Sequence, residues 1–390
     1  MPDDTIGVVG AGTMGAGIAQ LALEAGHEVV LHDIDEEAID GGRTRIRDGL
    51  ARRAAKLDLD ADTIDDWVDG RLATLRDAHS LDALAAEADV VIEAALEDVD
   101  LKRTIFRTLD GASTPNALLA TNTSALSIAS IAAATARPER VVGLHFFNPA
   151  PVMRLVEVVS APETTPAVAA RATALVTSWG REPVACVDSP GFIVNRVNRP
   201  FTLEALAALE KGEAGVASID EAVRAAGYPM GPFELMDLVG IDVNLAAARG
   251  VWEGFERVDR FRPSPIQERL VDEERLGRKA GRGFYRYADG QRREVDVDTE
   301  TNGPGDPAAI AQRIELAILA EAWRALGDKI ATENDIDTAM RLGAGHRVGP
   351  FERTQELGGP SALVAALGSY EPDGSRYEIP PLLLDTVGTS

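Results

Sequence analysis

Cysteine is almost missing from this chain. Cys186 stands alone among 390 residues, so no internal disulfide can form, and a reducing cytoplasm is the expected compartment. With apolar neighbours, it reads as a small core residue. Lysine is nearly as scarce, five against thirty-four arginines, and 63 acids outweigh 39 bases for a net charge of −24. That excludes a broad basic surface for phosphate backbones, and with it nucleic acid as a partner. An acidic, lysine-poor surface suits a halophilic cytoplasm, where molar salt screens the self-repulsion; an ordinary acidic enzyme is the plainer reading. Long apolar runs are absent too. None approaches the ~20 residues that span a bilayer, so no membrane partner is expected. Met1-Pro-Asp-Asp4 passes straight into a strand, leaving no room for a signal peptide. No metal site is expected.

What is present is 45% hydrophobic, enough for two or three globular domains. Thr5 to Val9 is a short apolar strand that runs into Gly10-Ala-Gly12-Thr-Met-Gly15. A helix follows to about Glu24, Gly26 closes it, and His27 to Leu31 forms a second strand with Asp33 at its end. This is the βαβ unit of a doubly wound sheet. Further strands are expected at 89–93, 118–121, 141–145 and 155–159, with helices between. The spacing predicts an α/β Rossmann-type domain over 1–185.

From Gly191 the pattern becomes helical, with start signals such as Ser218-Ile-Asp-Glu221. A first all-α domain is assigned to 186–290, a polar linker to 291–308, and a second all-α domain to 309–390. The second repeats the first. Asn195-Arg-Val matches Gln312-Arg-Ile and Ile219-Asp220 matches Ile336-Asp337 at an offset of 117, and Gly231-Pro-Phe-Glu234 matches Gly349-Pro-Phe-Glu352 at 118. Duplicated units of this kind are expected to pack on one another about a pseudo-twofold axis.

The chemistry begins at the glycines. Gly10 permits a tight turn, Gly12 lets the backbone approach a pyrophosphate, and Gly15 lets helix and strand close up. The spacing alone is common in turns. Here it follows a strand, opens a helix and has an acid 23 residues after Gly10. Asp33 is suited to the ribose hydroxyls and would repel a 2′-phosphate, so NAD is expected rather than NADP; Asp35 is the better candidate for a helix cap. His145 ends a sheet strand, where doubly wound folds place ligands. It is the residue type that exchanges protons near neutrality, which oxidation of a secondary alcohol requires. A satisfied strand-end histidine is the competing reading.

Together Gly10 to Gly15, Asn122-Thr-Ser124, His145-Phe-Phe-Asn-Pro149, Glu157 and Ser189-Pro-Gly-Phe-Ile-Val-Asn195 resemble the L-3-hydroxyacyl-CoA dehydrogenase family over almost the whole chain. Gly281-Arg-Gly-Phe-Tyr285 matches the end of that family's helical domain. The resemblance implies NAD-dependent oxidation of an L-3-hydroxyacyl-CoA to the 3-oxoacyl-CoA, with His145 as base oriented by Glu157. It implies that Ser124 meets the substrate oxygen or the base, with an N-cap near Ala125 as the plainer role, and that Asn195 polarises the thioester. Asn148 matches a position near the nicotinamide, and Asn122, Glu97 and Lys102 match cofactor-binding positions, with solvated charge on a helix edge as the plainer reading of Glu97 and Lys102. The second copy has Gln312 where the first has Asn195, so it reads as structural. It is expected to take the place that a second subunit fills in single-copy relatives, leaving the chain a monomer.

One feature stands outside the resemblance. Residues 41–56 hold Arg43, Arg45, Arg47, Arg52, Arg53 and Lys56 against the single acid Asp48. On a helix Arg45, Arg52 and Lys56 share a face. That stripe can hold the phosphates of coenzyme A, or be a face salt-bridged to nearby acids. Two rivals remain: a dehydrogenase for a 3-hydroxy acid or sugar acid without CoA, and a non-enzymatic NAD-binding protein.

Overall fold

The run Ile6–Val9 (β1) is buried at every residue, as expected of a parallel strand covered on both faces. In a computed structural model that describes residues 4–57, 60–296, 306–370 and 374–388, it is the third strand of an eight-stranded sheet. The other elements of this unit are α1 (Thr13–Glu24), β2 (Val29–His32), α2 (Glu36–Ala55), α3 (Ala61–Leu72), β3 (Leu75–Asp77), α4 (Leu81–Glu87) and β4 (Val90–Glu93). They continue with α5 (Val99–Ala112), β5 (Leu118–Thr121), α6 (Ile128–Ala132), β6 (Val141–Phe146), β7 (Leu155–Ser160), α7 (Pro166–Ser178) and β8 (Glu182–Val187). Strand order is β3-β2-β1-β4-β5-β6-β7-β8. The first six are parallel, β7 runs antiparallel to β6, and β8 lies parallel to β7. The order reverses between β1 and β4, the switch point at which such sheets open a crevice at their carboxyl ends.

Two strands had escaped the sequence pattern. β3 has three residues, of which only Leu75 is buried, too short to show a period. β8 carries Pro183 and buries alternate residues only. It pairs along its whole length with β7, so the boundary expected at 185 cuts a strand. The first compact unit runs to Asp188.

The second unit, Ser189–Ser390, holds α8 (Val194–Val197), α9 (Arg199–Glu210), α10 (Val216–Ala225), α11 (Pro232–Val239), α12 (Ile241–Gly254), α13 (Pro265–Asp272), α14 (Pro307–Gly327), α15 (Glu333–Gly343), α16 (Pro350–Glu356), α17 (Pro360–Gly368) and α18 (Pro381–Gly388). The linker expected at 291–308 is only partly that. Gln291–Val295 (β10) pairs antiparallel with Tyr285–Ala288 (β9), and α14 opens at Pro307 beneath an Asp306 cap. Residues 297–305 of the expected linker lie outside the described residues.

The two helical copies form one compact unit rather than two domains. The duplication reaches individual hydrogen bonds. Asp220 accepts the amides of Phe233 and Glu234 at 2.9 and 3.2 Å, and Asp337 those of Phe351 and Glu352 at 2.8 and 3.1 Å. Between the copies the contacts are reciprocal. Buried Arg196 meets Glu321 at 2.7 Å, and Arg313 meets Glu204 at 3.4 Å. Arg260 adds to Glu321 at 3.1 Å, and Arg376 to Glu204 at 3.2 Å. Tyr228 and His346, equivalent by the repeat, face each other with ring centroids 5.2 Å apart. Equivalent residues of the two copies thus make equivalent contacts with one another.

Candidate active site

Backbone conformation and close packing require glycine at two of the three loop positions. Gly10 has φ +97°, and a Cβ on it would lie 2.7 Å from the Ala94 carbonyl oxygen. A Cβ on Gly15 would lie 1.7 Å from the Gly10 oxygen, whereas one on Gly12 would meet nothing within 4 Å. The loop is therefore closed behind and open in front. No side chain caps α1, and no acid stands in its first turn, so its positive end faces outward as an anion site. Asp33 follows β2. Its Oδ2 accepts the Ala11 amide at 2.6 Å and its Oδ1 the Ile34 amide at 2.6 Å, so it braces the loop. Each carboxylate oxygen has a second lone pair to offer a hydroxyl. Asp35 caps α2 through the Ala38 amide. These features fit a dinucleotide.

His145 and Glu157 are opposite one another in the antiparallel register of β6 and β7. Residues so paired point to the same face with Cβ atoms close enough to interact. Nδ1 of His145 lies 2.6 Å from Oε2 of Glu157, which is fully buried, while His145 is 6% exposed. A buried carboxylate at Nδ1 fixes that nitrogen as the donor and sets the orientation of the ring. The Phe147 ring packs 4.5 Å from the imidazole. Asn122, just past β5, accepts the Phe146 amide at 2.8 Å and so ties the two strand ends together beside His145. Asn148 is exposed in the β6–β7 turn.

Ser124 lies in the turn after β5, and it is not a helix cap. That role belongs to Ser127, whose Oγ accepts the Ser130 amide at the start of α6. The Ser124 turn is held by Glu97, whose Oε1 accepts the Thr123 hydroxyl at 2.5 Å and the amides of Ser124 and Ala125 at 2.9 and 3.1 Å. Lys102 on α5 is buried, not a solvated charge. Its Nζ lies 2.7 Å from Glu93 Oε1, 3.3 Å from the Ala95 oxygen and 3.4 Å from Glu97 Oε2. Glu93 and the Ala95 carbonyl take hydrogen bonds from it and Glu97 adds a second charge, so it ties Glu93 and Glu97 together. Glu93 and Thr121 belong to this cluster and were not picked out from sequence. The available signal was an acid ending an otherwise apolar parallel strand.

The basic helix divides in two. Arg43, Arg47 and Arg53 are paired with Asp77, Asp69 and Glu24. Arg45, Arg52 and Lys56, the predicted stripe, form no ion pair among the described residues. They line a cleft of about 720 Å³ that also reaches Thr13, Trp179 and Arg181. Asn195 is on α8 of the second unit and half-buried; Gln312, at the equivalent place, accepts from the Tyr370 hydroxyl at 3.4 Å. Cys186 is buried, on β8. Among the described residues no group of three or more His, Cys, Asp or Glu could hold a metal ion, and no helix is long and apolar enough to cross a membrane.

Residues 5–189 match the family profile described as 3-hydroxyacyl-CoA dehydrogenase, NAD binding domain. Residues 191–287 and again 310–388 match its C-terminal domain, the two halves of the duplication. The chain is 48% identical over 282 residues to 3-hydroxyadipyl-CoA dehydrogenase of Escherichia coli (strain K12), a match covering 72% of this chain and 58% of that protein. It is 41% identical over 284 residues to the mitochondrial hydroxyacyl-coenzyme A dehydrogenase of Homo sapiens, covering 72% of this chain and 90% of that one. The crystal structure of 3-hydroxybutyryl-CoA dehydrogenase from Escherichia coli K12 superposes with a TM-score of 0.85 at 35% identity, over 99% of this chain and 98% of that one.

Proposed function

The chain belongs to the 3-hydroxyacyl-CoA dehydrogenase family, and from that premise we propose that His145, held by Glu157, handles the proton when an L-3-hydroxyacyl-CoA is oxidised to the 3-oxoacyl-CoA. The cofactor is NAD, which when bound supplies the hydride acceptor. Gly10, Gly12 and Gly15 with the α1 terminus would hold its pyrophosphate and Asp33 its ribose; Asn122, Asn148, Glu97 and Lys102 would shape the floor beneath it.

The observation that carries the reading is the buried 2.6 Å contact between His145 and Glu157. With Nδ1–H committed to Glu157, Nε2 is the atom that takes the hydroxyl proton in oxidation and returns it in reduction. The Glu157 charge stabilises the imidazolium and holds the ring in one orientation. Ser124 would hydrogen-bond the substrate oxygen, and Asn195, in the family-matching segment Ser189 to Asn195, would polarise the thioester carbonyl. The cleft lined by Arg45, Arg52 and Lys56 supports a CoA substrate over a 3-hydroxy acid without it, because these bases face the cleft with no ion-pair partner among the described residues. The reciprocal Arg–Glu pairs support a chain whose two helical copies replace a dimer contact. The acidic, lysine-poor composition supports a cytoplasm of high salt.

NADH oxidation with acetoacetyl-CoA in high KCl tests this directly. Fast turnover is expected, lowered in His145→Gln by roughly 10²–10⁴ in kcat, the usual worth of a general acid–base group. A folded, NADH-binding wild type with no turnover would sink the reading. In the same assay at low salt, Arg52→Glu with Lys56→Glu should raise the KM for acetoacetyl-CoA about tenfold and spare kcat, an effect that screening should erase in molar KCl. An unchanged KM, or good activity on free 3-hydroxybutyrate, would move the substrate away from CoA.

A further inference from the structure

We propose that Glu93 is a positioning residue: through Lys102 and Glu97 it fixes the turn that carries Ser124. Glu93 ends β4 and is fully buried. Its Oε1 accepts from Lys102 Nζ and from the Ala95 amide, each at 2.7 Å, and its Oε2 accepts the Thr121 hydroxyl at 2.7 Å. Both oxygens are therefore engaged, and the side chain is locked between β4, β5 and α5. Lys102 is 1% exposed, and its second carboxylate partner is Glu97.

The two carboxylates share the ammonium unequally. Glu93 holds it at 2.7 Å and Glu97 at 3.4 Å. Because Glu93 takes the greater part, Glu97 is held loosely by one oxygen, and its other oxygen remains over the Thr123, Ser124 and Ala125 donors. A buried ammonium cannot go without a counter-ion. With Glu93 made neutral, Lys102 has Glu97 as its one remaining carboxylate among the described residues and draws it inward, off the turn. The strand thus sets the turn by deciding which carboxylate satisfies Lys102. The effect on turnover rests on the reading of Ser124 given above; the effect on the turn does not.

The test is hydrogen–deuterium exchange of the Ser124 and Ala125 amides, read beside NADH-dependent kinetics. In Glu93→Gln these amides should exchange at least about tenfold faster, while those of β1 keep their wild-type rates, since local opening is separable from global unfolding. The kcat should fall about tenfold, with the KM for NADH within about threefold, as a misplaced contact group predicts. Adding Lys102→Met removes the charge that pulls Glu97 and should restore slow exchange at the turn, which a merely structural role for Glu93 would not produce. Unchanged turn exchange in Glu93→Gln, or no restoration in the double variant, overturns the proposal. If Glu93→Gln does not fold, Thr121→Val removes one of its bonds and keeps its charge; a smaller rise at the same amides is then expected, and none would overturn it. Ser124→Ala with unimpaired kcat would discard the Ser124 reading and leave the exchange result to judge Glu93.

Discussion

The two helical copies keep the same packing devices and differ in chemistry. Asp220 and Asp337 each tie down the start of a following helix through two amides, and Glu234 and Glu352 each accept their own helix-start glycine amide at 2.9 Å. In the first copy Tyr285 of the β9–β10 hairpin also donates to Asp220 at 2.7 Å, and Asp237 accepts the Phe284 and Tyr285 amides at 2.9 Å each. Gln355 replaces that aspartate in the second copy. Burial pushes Asp220 up to about 7 and Asp237 up to about 6, against donors that favour their charged forms. What was retained in both copies is what packing needs. What differs, Gln355 for Asp237 and Gln312 for Asn195, lies at single polar side chains.

The sharpest way to break that comparison is to remove the two equivalent amides. Asn195→Ala should lower kcat/KM for acetoacetyl-CoA by roughly 10²-fold, the order of one lost oxyanion-stabilising donor. Gln312→Ala should change it less than about twofold, within the range of a surface substitution. Equal losses would give the second copy a catalytic part.

Next comes the contact between copies. Glu321→Ala strips Arg196, Arg260 and Arg324 of their shared carboxylate and leaves Arg196 only the exposed Asp328. It should destabilise the chain by about 1–3 kcal/mol in denaturant unfolding, the cost of leaving buried donors without their acceptor. Glu204→Ala, which does the same to Arg313 and Arg376, should cost a similar amount. A pseudo-twofold contact predicts comparable losses, and a light-scattering mass of one 41.4 kDa chain. A stable dimer would show that this contact does not stand in for a second subunit.

The smallest effect belongs to the equivalent pair Tyr228 and His346. Burial lowers His346 from its usual range to about 4, whereas its equivalent Tyr228 does not titrate there. The unfolded chain takes up a proton near pH 6.5 that the folded chain refuses until about pH 4. The His346 contribution is therefore complete above about pH 6.5 and falls toward pH 4, by at most about 1.4 kcal/mol per pH unit. Asp220 and Asp237, raised by folding, act in the opposite sense across much of the same window. The test is accordingly the difference between wild type and His346→Gln, which should show this acid-side slope and no other. No difference would mean that His346 keeps its proton affinity in the fold.

The residues whose roles were legible in sequence are those whose function is set by local backbone or by spacing. The positive φ of Gly10 and the approach of Gly15 to the Gly10 carbonyl lie within six residues of chain. The repeat was visible because Ile-Asp and Gly-Pro-Phe-Glu recur in register. Strands β3 and β8 were not visible, since one is too short for a period and the other is half exposed at the sheet edge. The hairpin strand β10 has an exposed, charged sequence, Gln-Arg-Arg-Glu-Val, which reads as linker until a partner strand supplies its hydrogen bonds.

The sequence by itself determined the nucleotide loop with its flanking strand and helix, the duplication and the residue types able to move a proton, because each rests on local conformation or on a repeat in register. Only tertiary structure decided which charges answer one another: His145 with Glu157 across β6 and β7, Lys102 with Glu93 rather than solvent, and Arg196 with Glu321 across 125 residues of chain. Burial and distance fix the worth of a charge, and both arise only when distant segments meet.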